Sequence, residues 1–234
     1  MILCLDCGNS RIKWGLREGE AWHGQGIVPR AEIAGLDFVT ERIVASNVAG
    51  DEVAQGIEAL AERLGAPLQW VKAQASACGV SNRYHQPERL GADRWAALIG
   101  ARALHNGPAL VVMSGTATTI DNLDEHGVFQ GGLILPGLNL MRKALALGTA
   151  NLPANTGRHQ KMPRNTVDAI TSGCLEATLG AIERRFRRLA RDPNSICLIS
   201  GGASVTLAPH LRVRHRRVDN LVLEGLARIA TETI

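Results

Sequence analysis

Apolar and polar positions along the chain follow two periods, one typical of strands and one typical of helices. Short apolar runs at residues 3–5, 43–45 and 196–199 are typical of buried strands. Residues 52–64 and 172–190 instead carry apolar side chains every three or four positions, which predicts amphipathic helices. The chain is therefore predicted to combine strands and helices.

The stretch Asp6-Cys7-Gly8-Asn9-Ser10 interrupts the first predicted hairpin with an acidic residue, a glycine and two small polar residues. A glycine lets the backbone approach a ligand closely, and backbone N–H groups with the Asn9 and Ser10 side chains can face an anion. Asp6, at the end of the first strand, could hold a hydrated metal ion. The stretch fits a phosphate and Mg²⁺ site or an ordinary β-hairpin turn, and taken alone it favours neither.

A second hairpin of the same design follows Asn106-Gly107-Pro108, which is the best candidate for a boundary between lobes. An apolar strand from Leu110 leads to Gly115-Thr116-Ala117, and an alternating strand follows. Internal similarity of this kind indicates a duplicated unit, although two hairpins can also resemble each other by chance. Two facing lobes with one such hairpin each would grip a triphosphate from both sides.

Three further segments each permit more than one interpretation. Asp93 precedes an Ala-rich helical stretch, where a carboxylate is commonly an N-cap. The long loop 148–165 is typical of a lid, a binding loop or disorder. Gly201-Gly202 follows an apolar strand, where a double glycine packs against a planar group such as adenine or forms a tight turn.

The amino-acid composition argues against some classes of binding partner. Aromatic residues make up only 3% of the 234 residues, which argues against a nucleic-acid binder that stacks bases. The net charge of +4 comes largely from arginines at 184–191 and 212–217, which fit a solvated face better than a nucleic-acid contact. The five cysteines do not form a disulfide pattern. Without an apolar run of membrane-spanning length or a signal peptide, we expect a cytoplasmic protein and no membrane partner.

Six short motifs follow one another along the chain in a fixed order. They are Asp6-Cys7-Gly8-Asn9-Ser10, the block from Tyr84 to Trp95, Gly115-Thr116-Ala117-Thr118-Thr119, the strand from Gly131 to Gly137, the segment from Thr166 to Gly173, and Gly201-Gly202. Together they make the whole chain resemble the type III pantothenate kinases, which belong to the actin-like, sugar-kinase-like ATPase superfamily. The Bvg accessory factors are close relatives in that family.

The resemblance implies an α/β fold of two ribonuclease-H-like lobes, each a mixed sheet flanked by helices, with an ATP cleft between them. We expect the first lobe at residues 1–106 and the second at residues 107–234. It also implies phosphorylation of pantothenate by ATP with Mg²⁺, giving 4′-phosphopantothenate in the first step of coenzyme A synthesis. The family's enzymes are homodimers.

The resemblance assigns site residues motif by motif. Residues expected at the ATP phosphates, Mg²⁺ and the adenosine are Asp6, Gly8, Asn9, Ser10, Lys13, Gly115, Thr116, Gly201 and Gly202. Residues expected at pantothenate are Tyr84, Gly91, Ala92, Asp93, Arg94 and Thr166. Asp93 matches the family's catalytic base, and Asp6 is the residue expected at the metal.

One position departs from the family pattern. The family often has an aspartate two residues before the glycine of the second hairpin, where it binds K⁺ or NH₄⁺, but this chain has Met113 there. A thioether is a poor ligand for hard cations. The ion is therefore held differently or not needed in this chain.

Two other functions remain open at the level of the sequence. A regulatory accessory factor on the same fold would have little or no kinase activity. A related small-molecule kinase would act on a sugar-like alcohol, although the block from Tyr84 to Trp95 argues against it. Nucleic-acid binding through the late arginines is the least favoured.

Overall fold

The computed structural model describes residues 1–232. The strands, in chain order, are β1 (Ile2–Cys7), β2 (Ile12–Glu18), β3 (Ala21–Val28), β4 (Arg42–Asn47), β5 (Leu68–Trp70), β6 (Ser76–Ala77), β7 (Val80–Asn82), β8 (Ala109–Ser114), β9 (Ala117–Leu123), β10 (Val128–Pro136), β11 (Ile196–Ser200) and β12 (His215–Arg217). The helices are α1 (Asp51–Leu64), α2 (Ala92–Leu104), α3 (Leu138–Gly148), α4 (Thr166–Phe186), α5 (Ser204–Leu207) and α6 (Leu221–Glu232). No helix among these residues has the length and apolar character needed to span a bilayer.

The chain forms two compact units. The first contains Met1–Asn106, the short segment Glu125–Gln130 and the segment that begins at Asn220; the second contains Gly107–Asp124 and Gly131–Asp219. The division after Asn106 is where the sequence suggested it. The expected division into residues 1–106 and 107–234 differs at Glu125–Gln130 and at the segment from Asn220, because the chain returns to the first unit at both places.

The two units repeat one sheet topology. In the first unit the strand order is β3-β2-β1-β4-β5, with β1 antiparallel to β2 and parallel to β4. The second sheet has seven strands in the order β12-β11-β8-β9-β10-β7-β6, and its first five repeat this arrangement, with β8 antiparallel to β9 and parallel to β11. Each mixed sheet therefore begins with a hairpin and continues with parallel strands, which agrees with the duplication that the two hairpins indicate.

Each unit has its own apolar core. In the first, Leu3, Leu5 and Ile43 of the sheet pack with Ile57 and Leu60 of α1. This burial uses the helical face that the sequence spacing predicts. In the second, the sheet packs with α4, whose apolar stripe is buried.

Two glycines allow α2 and α6 to pack closely in the first unit. A methyl group at Gly100 would overlap the carbonyl oxygen of Leu221, and one at Gly225 would overlap that of Ala96. Small residues at such a crossing allow close backbone approach, so this contact constrains the placement of α2. The N-terminus of α2 carries Asp93 and Arg94, so the contact also helps to place the candidate site.

The region 74–92 contains the short strands β6 and β7. They pair antiparallel around the turn at Cys78 and Gly79, both of which have positive φ. The arginine-rich segment 212–217 contains the short strand β12 at His215–Arg217.

Candidate active site

Asp6 is a nearly buried carboxylate at the end of β1, with only 9% of its surface exposed. It lies opposite Lys13 in the β1–β2 hairpin, and the Ser46 hydroxyl on β4 donates a hydrogen bond of 3.3 Å to Asp6 Oδ1. Burial is the largest cause of a rise in the pKa of Asp6, to which the charge of Asp93 adds, whereas Lys13 and the Ser46 hydrogen bond lower the pKa; together these effects bring it to about 6. A buried carboxylate near a second acid is a common arrangement at functional sites.

Asp93 is the second residue of α2, and Gly91 occupies the N-cap position without a side-chain cap. The interpretation of Asp93 as the N-cap is therefore wrong. Its Oδ1 still accepts a 2.8 Å hydrogen bond from the Arg94 backbone N–H, so one carboxylate oxygen is turned toward its own helix. A side chain at Gly91 would overlap Asp93 Oδ1, so glycine is needed for this carboxylate position.

Arg94 follows Asp93 and is 5% exposed. Its Nη1 donates a 2.8 Å hydrogen bond to the Tyr84 hydroxyl. Asn82 holds the loop that carries Tyr84, since its side chain accepts a hydrogen bond from Tyr84 N and donates one to Pro87 O. Tyr84, Asp93 and Arg94, together with Gly91 and Ala92 at the start of α2, thus belong to one part of the first unit.

The turn of the first hairpin runs from Gly8 to Arg11 and is closed by a 3.2 Å hydrogen bond from Gly8 N to Arg11 O. Asn9 and Ser10 are exposed at this turn, and Lys13 is half-buried beyond it. Exposed N–H and hydroxyl groups beside a lysine can neutralise an anion. The geometry of this turn fits both the phosphate interpretation and the hairpin-turn interpretation.

Three glycine motifs converge within the second unit. Gly137 N donates to Thr116 O at 2.9 Å, and a side chain at Gly137 would overlap the turn of the second hairpin. Gly201 has a φ of 94°, and a side chain there would overlap the backbone of Ser114. The exposed turn at Gly115 and Thr116, the β10–α3 junction and Gly201-Gly202 therefore lie together.

Met113 lies two residues before Gly115 and opposite Thr119 in the β8–β9 hairpin. Thr119 Oγ1 is buried and lacks a hydrogen-bond partner among the residues that the structure describes. A hydroxyl and a thioether offer a hard cation much weaker coordination than a carboxylate. The residues at this position therefore do not fit a monovalent cation bound through a side-chain carboxylate.

Thr166 begins α4 and is exposed in the second unit. Asn165 caps this helix, because its side chain accepts a 2.9 Å hydrogen bond from Asp168 N. The helix expected over residues 172–190 therefore begins earlier, at Thr166, and ends at Phe186. The other predicted pantothenate residues belong to the first unit.

A divalent cation can be accommodated at Asp6. Among residues 1–232, no three His, Cys, Asp or Glu side chains converge as a metal-binding cluster. Mg²⁺ commonly takes one or two carboxylates and completes its shell with phosphate and water oxygens. The Asp6 carboxylate, destabilised by burial and by Asp93, fits that mode of binding.

Each unit has a cavity lined by described residues. A cavity of about 480 Å³ is lined by Arg83, Tyr84, His85, Gln86 and Arg89. Tyr84 is the residue that this cavity shares with the predicted pantothenate site. A cavity of about 620 Å³ in the second unit lies between loop 148–165, α4 and Arg212, and none of the predicted site residues lines it.

Two residues at the candidate site, Ser46 and Phe129, were not predicted from the sequence. Ser46 has no motif around it, and its contact with Asp6 depends on the parallel pairing of β1 with β4. Phe129 lies at the start of β10, and its ring is near Tyr84 and Arg94. A search for aromatic residues after predicted turns would have marked Phe129 as a candidate, but only the fold brings it to Arg94.

Comparison with known proteins identifies the relatives of this chain. A family model described as type III pantothenate kinase matches residues 2–188. The type III pantothenate kinase of Aromatoleum aromaticum is 54% identical, with 99% of this chain and 98% of that relative covered. That of Dechloromonas aromatica is 48% identical, with 100% of both chains covered.

Solved structures show the same fold at low sequence identity. A protein from Campylobacter jejuni assigned to the Baf family of transcriptional activators has a TM-score of 0.69 at 20% identity, covering 99% of this chain and 98% of that one. A protein from Sinorhizobium meliloti assigned as a 2-dehydro-3-deoxygalactonokinase has a TM-score of 0.62 at 16% identity, covering 100% and 99%. The α/β fold with mixed sheets, predicted from the resemblance to the actin-like ATPase superfamily, is confirmed.

Proposed function

The chain belongs to the type III pantothenate kinases and phosphorylates pantothenate with ATP, and we propose here the residues that catalyse this reaction. The observation that supports the assignment most strongly is the buried Asp6 carboxylate at the end of β1, opposite Lys13 and hydrogen-bonded by Ser46, with the charge of Asp93 raising its pKa. Two interacting carboxylates allow one to act on a metal and the other on a proton. The reaction converts ATP and pantothenate to ADP and 4′-phosphopantothenate, the first step of coenzyme A synthesis.

We propose that Asp93 is the general base. One of its oxygens accepts a hydrogen bond from the Arg94 N–H, and the other would accept the proton of the primary hydroxyl of pantothenate. The hydroxyl oxygen attacks the γ-phosphorus, and ADP leaves with the electrons of the broken P–O bond. Arg94 and Tyr84 would bind polar groups of pantothenate, together with Gly91, Ala92 and Thr166.

Asp6 would hold Mg²⁺ through water or directly, with the nucleotide phosphates as its remaining ligands. When bound, Mg²⁺ neutralises charge on the phosphates. Lys13 lies opposite Asp6 and would contribute a positive charge on the same hairpin. The Gly8, Asn9 and Ser10 turn would donate hydrogen bonds to phosphate oxygens.

In the second unit, the turn at Gly115 and Thr116 offers N–H and hydroxyl donors, and we assign it to phosphate binding. Gly202 has open space where a side chain would lie, and Gly201 adopts a conformation that favours glycine. We assign this pair to the adenosine.

The second hairpin would work without a monovalent cation at residue 113. The half-buried Met113 side chain and the unpaired Thr119 hydroxyl provide no charged ligand there. A rate that is the same with K⁺, NH₄⁺ or Na⁺ as the sole monovalent cation would support this assignment. A requirement for K⁺ or NH₄⁺ would contradict it.

We assign the protein to the cytoplasm as a homodimer. Exposed apolar side chains in the second unit support self-association, since Ile134 is 66% exposed and Leu147 is 89% exposed. Light scattering at micromolar protein tests the homodimer, and a monomer mass would contradict it.

The test of the proposed function is release of ADP with and without pantothenate, with the product identified by mass spectrometry. We expect ADP release that depends on pantothenate and a product that carries one additional phosphoryl group. ADP release only with a sugar or another alcohol would support a related small-molecule kinase. Nucleotide binding without turnover on any alcohol would support a regulatory accessory factor.

A further inference from the structure

The ring of Phe129 is fully buried and lies near the guanidinium of Arg94, which is itself nearly buried. Arg94 Cζ is 5.7 Å from the centroid of the Phe129 ring and 5.6 Å from that of the Tyr84 ring. The two ring centroids are 5.4 Å apart, with an angle of 36° between the rings. We propose that Phe129 is a positioning residue for pantothenate binding, acting through Arg94.

The fold brings Phe129 to this position from a distant part of the sequence. Val128 and Phe129 of β10 pair in parallel with Ser81 and Asn82 of β7. The segment before them turns at Gly127, whose φ is 78° and where a side chain would overlap the carbonyl oxygen of Gly79. The short segment Glu125–Gln130 thus joins the first unit and brings an aromatic ring to its candidate site.

A second anchor holds the same segment. Arg102 Nη1 on α2 donates hydrogen bonds of 3.2 Å to Glu125 O and to Asn106 O. Arg102 therefore fixes Glu125–Gln130 to the helix whose N-terminus carries Asp93 and Arg94. Arg102 therefore helps to fix the position of Phe129 relative to Arg94.

A buried guanidinium is costly unless its surroundings compensate for lost water. Both aromatic rings are within cation–π distance of Arg94, and such contacts are strongest where water is excluded. The Tyr84 hydroxyl accepts one Arg94 N–H, which fixes the direction of the side chain. Removing the Phe129 ring would leave space for other Arg94 rotamers and would weaken any hydrogen bonds that require one rotamer.

This inference rests on the proposed role of Arg94 as a pantothenate ligand. Phe129 has no polar group to offer the reacting atoms, so its effect should appear in pantothenate binding and not in ATP binding. A residue with a merely structural role would instead lower stability, without changing the KM for pantothenate selectively.

The first experiment measures kcat, both KM values and thermal stability for Phe129→Leu and Phe129→Tyr. We expect Phe129→Leu to raise the KM for pantothenate about tenfold, with kcat and the KM for ATP within about twofold of wild type. Phe129→Tyr keeps the ring and should restore most of the pantothenate affinity. Phe186→Leu is the matched control, because Phe186 is 7% exposed in the core of the second unit and lies outside the proposed site.

A selective rise in KM for Phe129→Leu that is absent from Phe186→Leu supports the proposal. An unchanged KM in a folded Phe129→Leu protein, or an equal rise in Phe186→Leu, overturns it. If Phe129→Leu does not fold, Phe129→Met provides the same test with less loss of volume.

The second experiment separates this inference from the proposed function. Arg94→Gln alone should raise the KM for pantothenate, and adding Phe129→Leu to it should raise the KM no further, because Phe129 acts through Arg94. An unchanged KM in Arg94→Gln contradicts the proposed role of Arg94. A raised KM in Arg94→Gln that rises by the full single-variant factor on adding Phe129→Leu overturns the positioning role alone.

Discussion

The two glycine hairpins have the same topology but different chemistry. In the first, the residue two positions before the glycine is Asp6, which lies opposite Lys13 and accepts a hydrogen bond from Ser46. In the second, the equivalent residue is Met113, which lies opposite Thr119. Repeated backbone topology therefore supplies similar N–H donors twice, whereas a carboxylate two residues before the glycine is present on the first hairpin only.

The polar groups near the two hairpins also differ, since those near the first are charged and the nearest pair in the second is neutral. Asp6 interacts electrostatically with Asp93, so the first unit has two acidic groups at its site. The neighbouring pair in the second hairpin is Ser114 and Thr118, whose buried hydroxyls lie 3.1 Å apart. We infer that the first unit supplies metal and proton chemistry, and that the second supplies neutral hydrogen-bond donors.

The largest expected effect is that of Asp93→Asn. Removing a general base lowers kcat by about 10² to 10⁴-fold, and we expect this loss with ATP affinity retained. The measurement is kcat together with the dissociation constant for ATP. Near-normal kcat with lower thermal stability would contradict the base assignment and would leave Asp93 with only its contact to the N-terminus of α2.

Asp6→Asn should lower kcat by about 10² to 10³-fold, because the neutral amide stabilises phosphate-bound Mg²⁺ poorly. Met113→Leu is the matched substitution on the second hairpin and should leave kcat close to that of wild type. Steady-state rates at saturating substrates provide the comparison. Similar losses in the two variants would contradict the division of charge between the hairpins.

The same Asp6→Asn variant should be more stable than wild type at high pH when no ligand is bound. Because burial raises the pKa of Asp6 from 3.8 to about 6, ionisation favours the unfolded state between those values. The stability that wild type has at acidic pH is thus lost as the pH rises through about 6, by about 3 kcal/mol at most.

Denaturant unfolding at pH 4 and pH 8 measures this difference. The free energies of unfolding of Asp6→Asn and wild type should be closest at pH 4 and differ most at pH 8, with the variant more stable. A variant that is less stable than wild type at pH 8 would show that Lys13 and Ser46 outweigh the cost of burying the charge.

The smallest effect is expected for Met113→Asp. A carboxylate at this half-buried position should lower stability by about 1 kcal/mol and should make the rate respond to K⁺. Rates in K⁺ and Na⁺ salts check the response. If wild type already depends on K⁺ and Met113→Asp does not change that dependence, the ion lies elsewhere and residue 113 is irrelevant to it.

Local features of the site could be predicted from the sequence. Gly8 and Gly115 are at hairpin turns, because glycine conformations depend on near neighbours. The contact of Ser46 with Asp6 depends on strand order, which apolar periodicity does not determine.

Contacts between distant parts of the chain were the least predictable. The first unit includes Glu125–Gln130 and the segment from Asn220. Both are preceded in the chain by residues of the second unit. The packing of α2 on α6 depends on Gly100 and Gly225, neither of which stands out in the sequence. Phe129 reaches Arg94 for the same reason, since its position follows from the path of β10.

The Mg²⁺ dependence of the rate tests the central claim most directly. The measurement is kcat against free Mg²⁺ for wild type, Asp6→Asn and Met113→Leu at saturating ATP and pantothenate. The account predicts that only Asp6→Asn needs a higher Mg²⁺ concentration for half-maximal rate, by about tenfold or more. An unchanged Mg²⁺ requirement in Asp6→Asn, or a comparable shift in Met113→Leu, would contradict it.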